Sequence, residues 1–248
     1  MRIAWKKIYM KKPWTTWLEE LLIHGLEHLE KKTDFDKRMA LICIDNSVEI
    51  MLKTFLELPE KSNGIKGLSK KDKEEISRSF PSLLEGFEKF AEDKLDGIAL
   101  DEIEFFHGLR NQLYHGGNGL TVDTRHVETY GAMAKLLLYN LFKIKVTPAK
   151  QGEHSRLVGE FIMGWRDLVL LFEGKFKNDV NAERWDPRKY IDWLHQNKKI
   201  DQETERELRH VHNFRNQLVH GPENPTENNL KELIDKMTGL SNIIKEIE

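Results

Sequence analysis

Two ten-residue segments of the chain, HGLRNQLYHG at 107–116 and HNFRNQLVHG at 212–221, share seven residues in place. They are called here the first motif and the second motif. The shared residues include an arginine, an asparagine and two histidines, and the two arginines lie 105 positions apart. A guanidinium can bind a phosphate group, and an imidazole can move protons near neutral pH. The repetition therefore indicates either shared chemistry or a shared packing role.

The second histidine of each motif, His115 or His220, is predicted to end a helix. Gly116 and Gly221 follow at the position where a left-handed residue commonly terminates a helix, and Pro222 prevents continuation. At a helix C-terminus the carbonyl dipoles favour a protonated imidazole by up to roughly 1–2 kcal/mol. A histidine that titrates there suits proton transfer. The alternative is a C-capping histidine that only bonds the last carbonyls.

Arg110 and Arg215 each precede their histidine by five positions, so about 500° of helical turn, or about 140° net, separates the side chains. Such side chains do not share one face of a continuous helix. They reach one phosphate if the helix unwinds at the glycine, or if the other motif supplies the partner. A composite site is therefore favoured. The alternative is an ion pair with an acidic residue, and Asp45 and Glu49, spaced i, i+4, are candidates for pairing with Arg110.

Two further polar residues accompany each arginine–histidine pair. Asn111 and Asn216 follow the arginines and are expected to position a phosphate or an imidazole, or to cap a loop. His107 and His212 lie about one turn before the arginines, on nearly the same side of the helix. They are either additional phosphate contacts or partly buried, hydrogen-bonded structural histidines.

The elements that must hold these residues are helical throughout, and the predicted class is all-α. Apolar residues in the two motif helices recur at identical steps, which predicts one buried face on each; they are Ile103, Phe106, Leu109 and Leu113, and Leu208, Val211, Phe214 and Leu218. Asp186 with Pro187 and Asp201 are expected to begin helices. No stretch alternates like a strand.

The helix order predicts two tandem up-and-down bundles, each with its motif on the penultimate helix. The N-terminal bundle spans residues 1–146 and carries a helical insertion at about 60–97. A linker at 147–153 leads to the C-terminal bundle at 154–248.

The bulk composition excludes several classes of protein. Apolar residues make up 39% and charged residues 32% of the 248 positions, as in packed globular domains. The formal net charge of −2 provides no global field for nucleic acid or membranes, so phosphate contacts must be local. Cys43, the single cysteine, is expected to be a buried thiol in a reducing compartment. Without a signal peptide or a long apolar run, the expected location is the cytoplasm and no membrane partner is expected.

Arginine, a polar residue, three further residues and then histidine and glycine, at the end of a penultimate bundle helix, resembles the HEPN superfamily. RNQLYHG and RNQLVHG both fit that superfamily's pattern of Arg, four to six residues and His, in its four-residue form. Outside the motifs the resemblance rests on helix order, over about 14–146 and 154–248.

The resemblance implies a metal-independent endoribonuclease whose site forms where two such modules face each other. Arg110 and Arg215 would stabilise the phosphorane, His115 and His220 would handle protons, and Asn111 and Asn216 would position groups. RNA would be cut by attack of its own 2′-OH, which leaves a 2′,3′-cyclic phosphate. The modules would pair within one chain or across a homodimer.

The resemblance also implies a toxin–antitoxin or phage-defence setting with an antitoxin or defence-system partner protein. Some members carry a tyrosine two residues after the histidine as the target of a nucleotidyltransferase antitoxin; here those positions are Gly117 and Pro222, which argues against that mode of control. Other members bind RNA, nucleotides or proteins without cutting, so a non-catalytic binding or scaffold protein is the alternative. No cofactor or metal is expected, because the sequence has no HExxH, no paired CxxC and no carboxylate-rich ligand set.

Overall fold

The chain folds into α-helices, as the sequence predicts. The computed structural model describes residues 13–115, 121–146, 152–180, 186–221 and 225–247. Within these ranges it contains eleven α-helices and no strand, which confirms the all-α class. In chain order the helices are α1 (Pro13–Leu29), α2 (Asp34–Glu57), α3 (Glu60–Asn63), α4 (Lys70–Ile76), α5 (Phe80–Ala91), α6 (Leu100–His115), α7 (Thr124–Phe142), α8 (Glu153–Phe176), α9 (Pro187–Gln196), α10 (Gln202–His220) and α11 (Glu227–Glu246).

Local signals set the ends of several helices. The Asp201 side chain caps α10 by accepting a hydrogen bond from the Thr204 backbone N–H at 2.8 Å, which confirms the predicted cap. Asp186 is the N-cap of α9 and Pro187 its first residue, also as predicted. The short helices α3, α4 and α5 lie within the segment predicted as an insertion.

Buried apolar side chains from both halves of the chain form one continuous core. Helix α7 joins the halves, because it packs against α1 and α2 on one side and against α8 and α10 on the other. Inside this core the rings of Phe106 and Tyr130 stack at 4.5 Å between centroids. The division into two tandem bundles stays a prediction, since the halves share this core.

Two expectations drawn from the bulk sequence concern burial and membranes. Cys43 is buried in α2, as expected, and burial raises the pKa of its thiol. Each helix in the described ranges is too short or too polar to cross a bilayer.

Candidate functional site

Both motifs occupy the C-terminal ends of their helices. His115 is the last residue of α6 in the described part of the chain, and His220 is the last residue of α10, which confirms the predicted helix end for the second motif. The side chain of His115, together with Gly116 and Gly117, lies outside the described residues. The structure therefore gives the side-chain surroundings of the first motif as far as Leu113 and of the second motif as far as Gly221.

The apolar face predicted for each motif helix packs into the core. The fully buried members are Ile103, Phe106, Leu208, Val211 and Leu218. The half-buried members, which pack against the edge of the core, are Leu109, Leu113 and Phe214. Packing thus explains the repeated apolar residues, and the polar residues of the motifs need their own explanation.

Gly221 does not adopt the left-handed conformation that the sequence predicts. Its backbone is extended, with φ −73° and ψ 166°, and its N–H donates to the carbonyl of Gln217 at 2.8 Å. The reason is that Pro222 follows, because a proline restricts the preceding residue to extended conformations. Glycine is still needed here, since a Cβ at this position would lie 2.6 Å from the Gln217 oxygen.

Asp45 of α2 is the centre of a polar network around the first motif. It is fully buried and accepts hydrogen bonds from three side chains. His107 Nδ1 lies 3.0 Å and Arg110 Nε 2.7 Å from Asp45 Oδ2, while the Tyr130 hydroxyl donates to Oδ1 at 2.9 Å. Glu49 accepts a longer bond of 3.5 Å from Arg110 Nη2. The predicted pairing of Arg110 with Asp45 and Glu49 is therefore confirmed.

The surroundings of Asp45 hold its hydrogen-bond partners in place. Burial and the Asp45 charge raise the pKa of Tyr130 well above its usual value, so the hydroxyl stays protonated and donates. The ring of His107 stacks on Phe80 at 3.6 Å between centroids, 8° from parallel. His107 is thus a packed, hydrogen-bonded histidine, the structural role that the sequence left open for it.

The same network contains a group of side chains with the chemistry of a metal site. One ligand atom each from Asp45, Glu49 and His107 lie within 4.8 Å of one another. The guanidinium of Arg110 already bonds both carboxylates, however, and Lys53 also pairs with Glu49 at 2.5 Å, so two cations balance the two charges. A divalent cation there would have to displace Arg110 against charge repulsion, so these residues fit a guanidinium better than a metal.

Asn111 orients the arginine that precedes it. Its side-chain oxygen accepts a hydrogen bond of 2.9 Å from Arg110 Nη1. Asn46 of α2 accepts another from Nη2, at 3.3 Å. Arg110 is therefore aimed by groups on both helices, and 17% of its side chain remains exposed.

The second arginine is held differently. Both terminal nitrogens of Arg215 donate to the carboxylate of Glu102 in a bidentate pair. Glu102 lies in the first turn of α6, the helix that carries the first motif. Both residues are buried, and burial lowers the pKa of Arg215 to about 10, so its guanidinium stays charged at neutral pH. The pair joins the two halves of the chain.

A small cavity of about 70 Å³ adjoins Arg215, and the second motif forms one of its walls. His212 and Asn216 line it together with Trp165 of α8. Asn216 Nδ2 donates to His212 Nε2 at 3.4 Å, and burial lowers the pKa of His212. The Nε of Arg215 is buried and finds no hydrogen-bond partner among the described residues. Asn216 therefore orients His212 and makes no contact with Arg215 like the one that Asn111 makes with Arg110.

His220 is exposed at the end of the second motif. Its ring meets Phe105 of α6 edge to face at 4.9 Å. Partial burial lowers its pKa, Asp101 opposes that shift and Arg215 adds to it. His220 in turn contributes to a lowered pKa of His126 on α7, whose main cause is burial. His220 is therefore mainly neutral at pH 7 and can accept a proton.

The structure thus brings the second motif against the helix of the first motif. Arg215 contacts Glu102 and His220 contacts Phe105, less than one turn later on α6. Arg110 lies eight residues beyond Glu102, which is about 12 Å along a helix. The two guanidinium groups bind different carboxylates. Arg110 binds Asp45 and Glu49, and Arg215 binds Glu102.

Sequence reasoning missed the residues of the first half that receive the second motif. These are Asp101, Glu102 and Phe105 of α6 and His126 of α7. The one available signal is that Glu102 adjoins Ile103 on the buried face of α6, where an acidic residue needs a cationic partner.

Comparison with known proteins finds no family model, no curated protein and no solved structure that matches this chain.

Proposed function

We propose that this chain is a metal-independent endoribonuclease of the HEPN type, with a composite site at the meeting of α6 and α10. The observation that carries the proposal is that Arg215 and His220 both lie against α6, the helix that ends in the first motif. Two motifs on neighbouring helices are what a shared site requires.

In the proposed reaction the protein supplies proton transfer and charge stabilisation. His220, neutral at pH 7, takes the proton of the 2′-OH as the new bond to phosphorus forms. Arg110 stabilises the negative charge that develops on the phosphorane. Its bonds to Asn46 and Glu49 are long, at 3.3 and 3.5 Å, and a phosphate oxygen can replace either. His115 protonates the leaving 5′-oxygen, a role carried over from the resemblance alone.

Arg215 has a different part in this proposal from the one that the resemblance implies. Its guanidinium is buried against Glu102, so it reaches a phosphate only after that bond breaks. In the present arrangement it holds α10 on α6 and thereby positions His220.

The competing function is a non-catalytic RNA-binding or scaffold protein built on the same helices. The ion pairs of Arg110 and Arg215 favour this alternative, because each arginine stabilises the fold through a carboxylate whether or not it binds RNA. The toxin or defence setting, an antitoxin partner and a homodimer rest on the resemblance, whereas the cytoplasmic location rests on the sequence pattern; all four remain part of the proposal.

Cleavage of RNA in the presence of EDTA tests the proposal directly. We expect the wild-type protein to cut single-stranded RNA with chelator present and to leave 2′,3′-cyclic phosphate ends. His220→Ala and His115→Ala are each expected to slow cleavage about 100-fold, as loss of a general acid or base does. His210→Ala is the matched control, because His210 is an exposed histidine on the same helix. Binding without cleavage indicates the scaffold, and loss of cleavage with EDTA indicates a metal enzyme.

The pH dependence of cleavage reports the role of His220. As the base it must be deprotonated, and its pKa is lowered from 6.5, so the rate is expected to rise with pH through a value below 6.5. Asp101→Asn removes the carboxylate that raises this pKa and should move the rise to lower pH. Glu104→Gln, an exposed change on the same helix, should leave the profile unchanged. A rise that does not move with Asp101→Asn would assign the titration to another group.

A further inference from the structure

A groove of about 540 Å³ lies between α7 and α8, where the two halves of the chain pack. Its floor includes Gly159 and Gly164 of α8, and its walls include Lys135 and Tyr139 of α7. A volume of roughly 300–1,000 Å³ is typical of small-ligand sites. Tyr139 lies 13 residues after His126, which is about 20 Å along the helix axis. The groove is therefore separate from the site proposed for cleavage.

Three cations surround the ring of Tyr139. Lys143 Nζ, Lys145 Nζ and Arg166 Cζ lie 5.4, 5.5 and 5.9 Å from its centroid. An exposed cation gains about 0.5–1 kcal/mol from an aromatic ring, while cations so close together repel one another. Arg166 is neutralised by Asp167 at 3.3 Å, but Lys145 makes no hydrogen bond or ion pair with any described residue. The cluster therefore carries net positive charge that can bind an anion.

Lys135 adds a further cation to the groove, one turn before Tyr139 on the same face of α7. It is half-buried, and burial lowers its pKa, an effect that the charge of Glu30 only partly opposes. Its ammonium makes no hydrogen bond or ion pair within the described part of the chain. Its Nζ lies beside Gly159 of α8, 3.6 Å from where a Cβ of that residue would be, and both residues line the groove. Burying an ammonium costs free energy unless an anionic or hydrogen-bonding ligand compensates for the lost water.

The acidic residues of the rim do not cancel these cations. Glu160 is paired with Arg156, and Asp167 with Arg166. The charge that remains in the groove is that of the lysines beside Tyr139. An aromatic ring flanked by unpaired ammonium groups is complementary to a base joined to a phosphate.

We propose that the α7–α8 groove is a nucleotide-binding site in which a base stacks on Tyr139 and its phosphate binds Lys135 and Lys145. The ligand is either a free nucleotide or one nucleotide of a single-stranded RNA. This site goes beyond the proposed cleavage reaction, since neither motif contributes to it.

The test measures binding of a fluorescent single-stranded RNA of roughly ten nucleotides to the full chain. The RNA carries 2′-O-methyl groups, which remove the nucleophile and prevent cleavage by 2′-OH attack. We expect Lys145→Glu and Tyr139→Leu each to weaken binding about ten-fold, because stacking and phosphate contacts each contribute on that scale. Tyr139→Phe should keep the affinity, since it keeps the ring. Lys66→Glu, an exposed lysine in the α3–α4 connection, is the charge-matched control.

Competition with AMP and with inorganic phosphate identifies the ligand. Displacement of the RNA by AMP supports a free nucleotide, and binding of RNA that AMP does not displace supports a strand. Two results together would overturn the proposal in favour of a simple anion site. Inorganic phosphate would displace the RNA as strongly as AMP does, and the Tyr139→Leu variant would bind RNA with the wild-type affinity. RNA binding that ignores every groove variant but falls with Arg110→Ala would overturn it as well, while leaving the cleavage site intact.

Discussion

Asp45→Ala is expected to destabilise the fold by about 3–5 kcal/mol, the usual penalty for removing one partner of a buried ion pair. Asp45 is fully buried and is the common acceptor for His107, Arg110 and Tyr130. Without it the Arg110 charge loses its closest partner, and the Tyr130 hydroxyl is left without an acceptor inside the core. Thermal or urea unfolding of the purified variant measures the change.

Graded variants separate the charge of Asp45 from its shape. Asp45→Asn keeps the volume and loses the charge, so it should destabilise less than Asp45→Ala. Tyr130→Phe removes one hydrogen bond, about 1 kcal/mol. Asp235→Ala, an exposed aspartate on α11, is the control and should change stability little. If Asp45→Ala unfolds at the same denaturant concentration as this control, the network does not stabilise the protein.

The first-motif network could be predicted because its information is local. Asp45 and Glu49 are one turn apart, so their spacing places both on one face of α2, and an arginine in a bundle needs such a partner. The helix ends at His115 and His220 were predicted for the same reason, from the residues that follow them. Gly221 shows the limit of this reasoning, because two local rules compete there and the proline restriction prevails over the glycine preference.

The partner of Arg215 could not be predicted from local pattern. Glu102 lies 113 positions away in the other half of the chain, and helical periodicity does not specify how two halves dock. In the first half the arginine finds its carboxylate on α2. In the second half α8 places aromatic rings beside the motif: Trp165 lies 5.8 Å from His212 and Phe161 lies 5.1 Å from Phe214, between ring centroids. The two motifs therefore have nearly the same sequence and different surroundings.

This difference predicts unequal roles for the two arginines. Arg110 is partly exposed, and its two long contacts, to Asn46 and Glu49, can be replaced by a phosphate, whereas Arg215 is buried in a bidentate pair. On the proposed function, Arg110→Lys should reduce cleavage while the fold is kept. Changes at Arg215 should act through the packing of α10 on α6.

Glu102→Ala is the second change for which we expect a loss of about 3–5 kcal/mol, because it leaves the buried guanidinium of Arg215 without its bidentate partner. Arg215→Ala should have a similar effect, since it leaves a buried carboxylate. The double variant Glu102→Leu with Arg215→Met should regain most of the loss, because apolar residues of similar volume can replace a buried pair at little net change in stability. Unfolding by urea measures all three.

The comparison with an exposed pair makes this prediction specific. Lys71 and Glu75 lie 3.8 Å apart on the surface of α4, with 85% and 50% of their side chains exposed, and removing either should change stability little. If single changes at Glu102 and Arg215 are equally mild, the pair does not hold the halves together. If the singles are severe and the double variant stays folded but no longer cuts RNA that the wild type cuts, Arg215 itself takes part in the reaction. A double variant that folds and still cuts assigns Arg215 to positioning His220, because then any pair of well-packed side chains between α6 and α10 is sufficient.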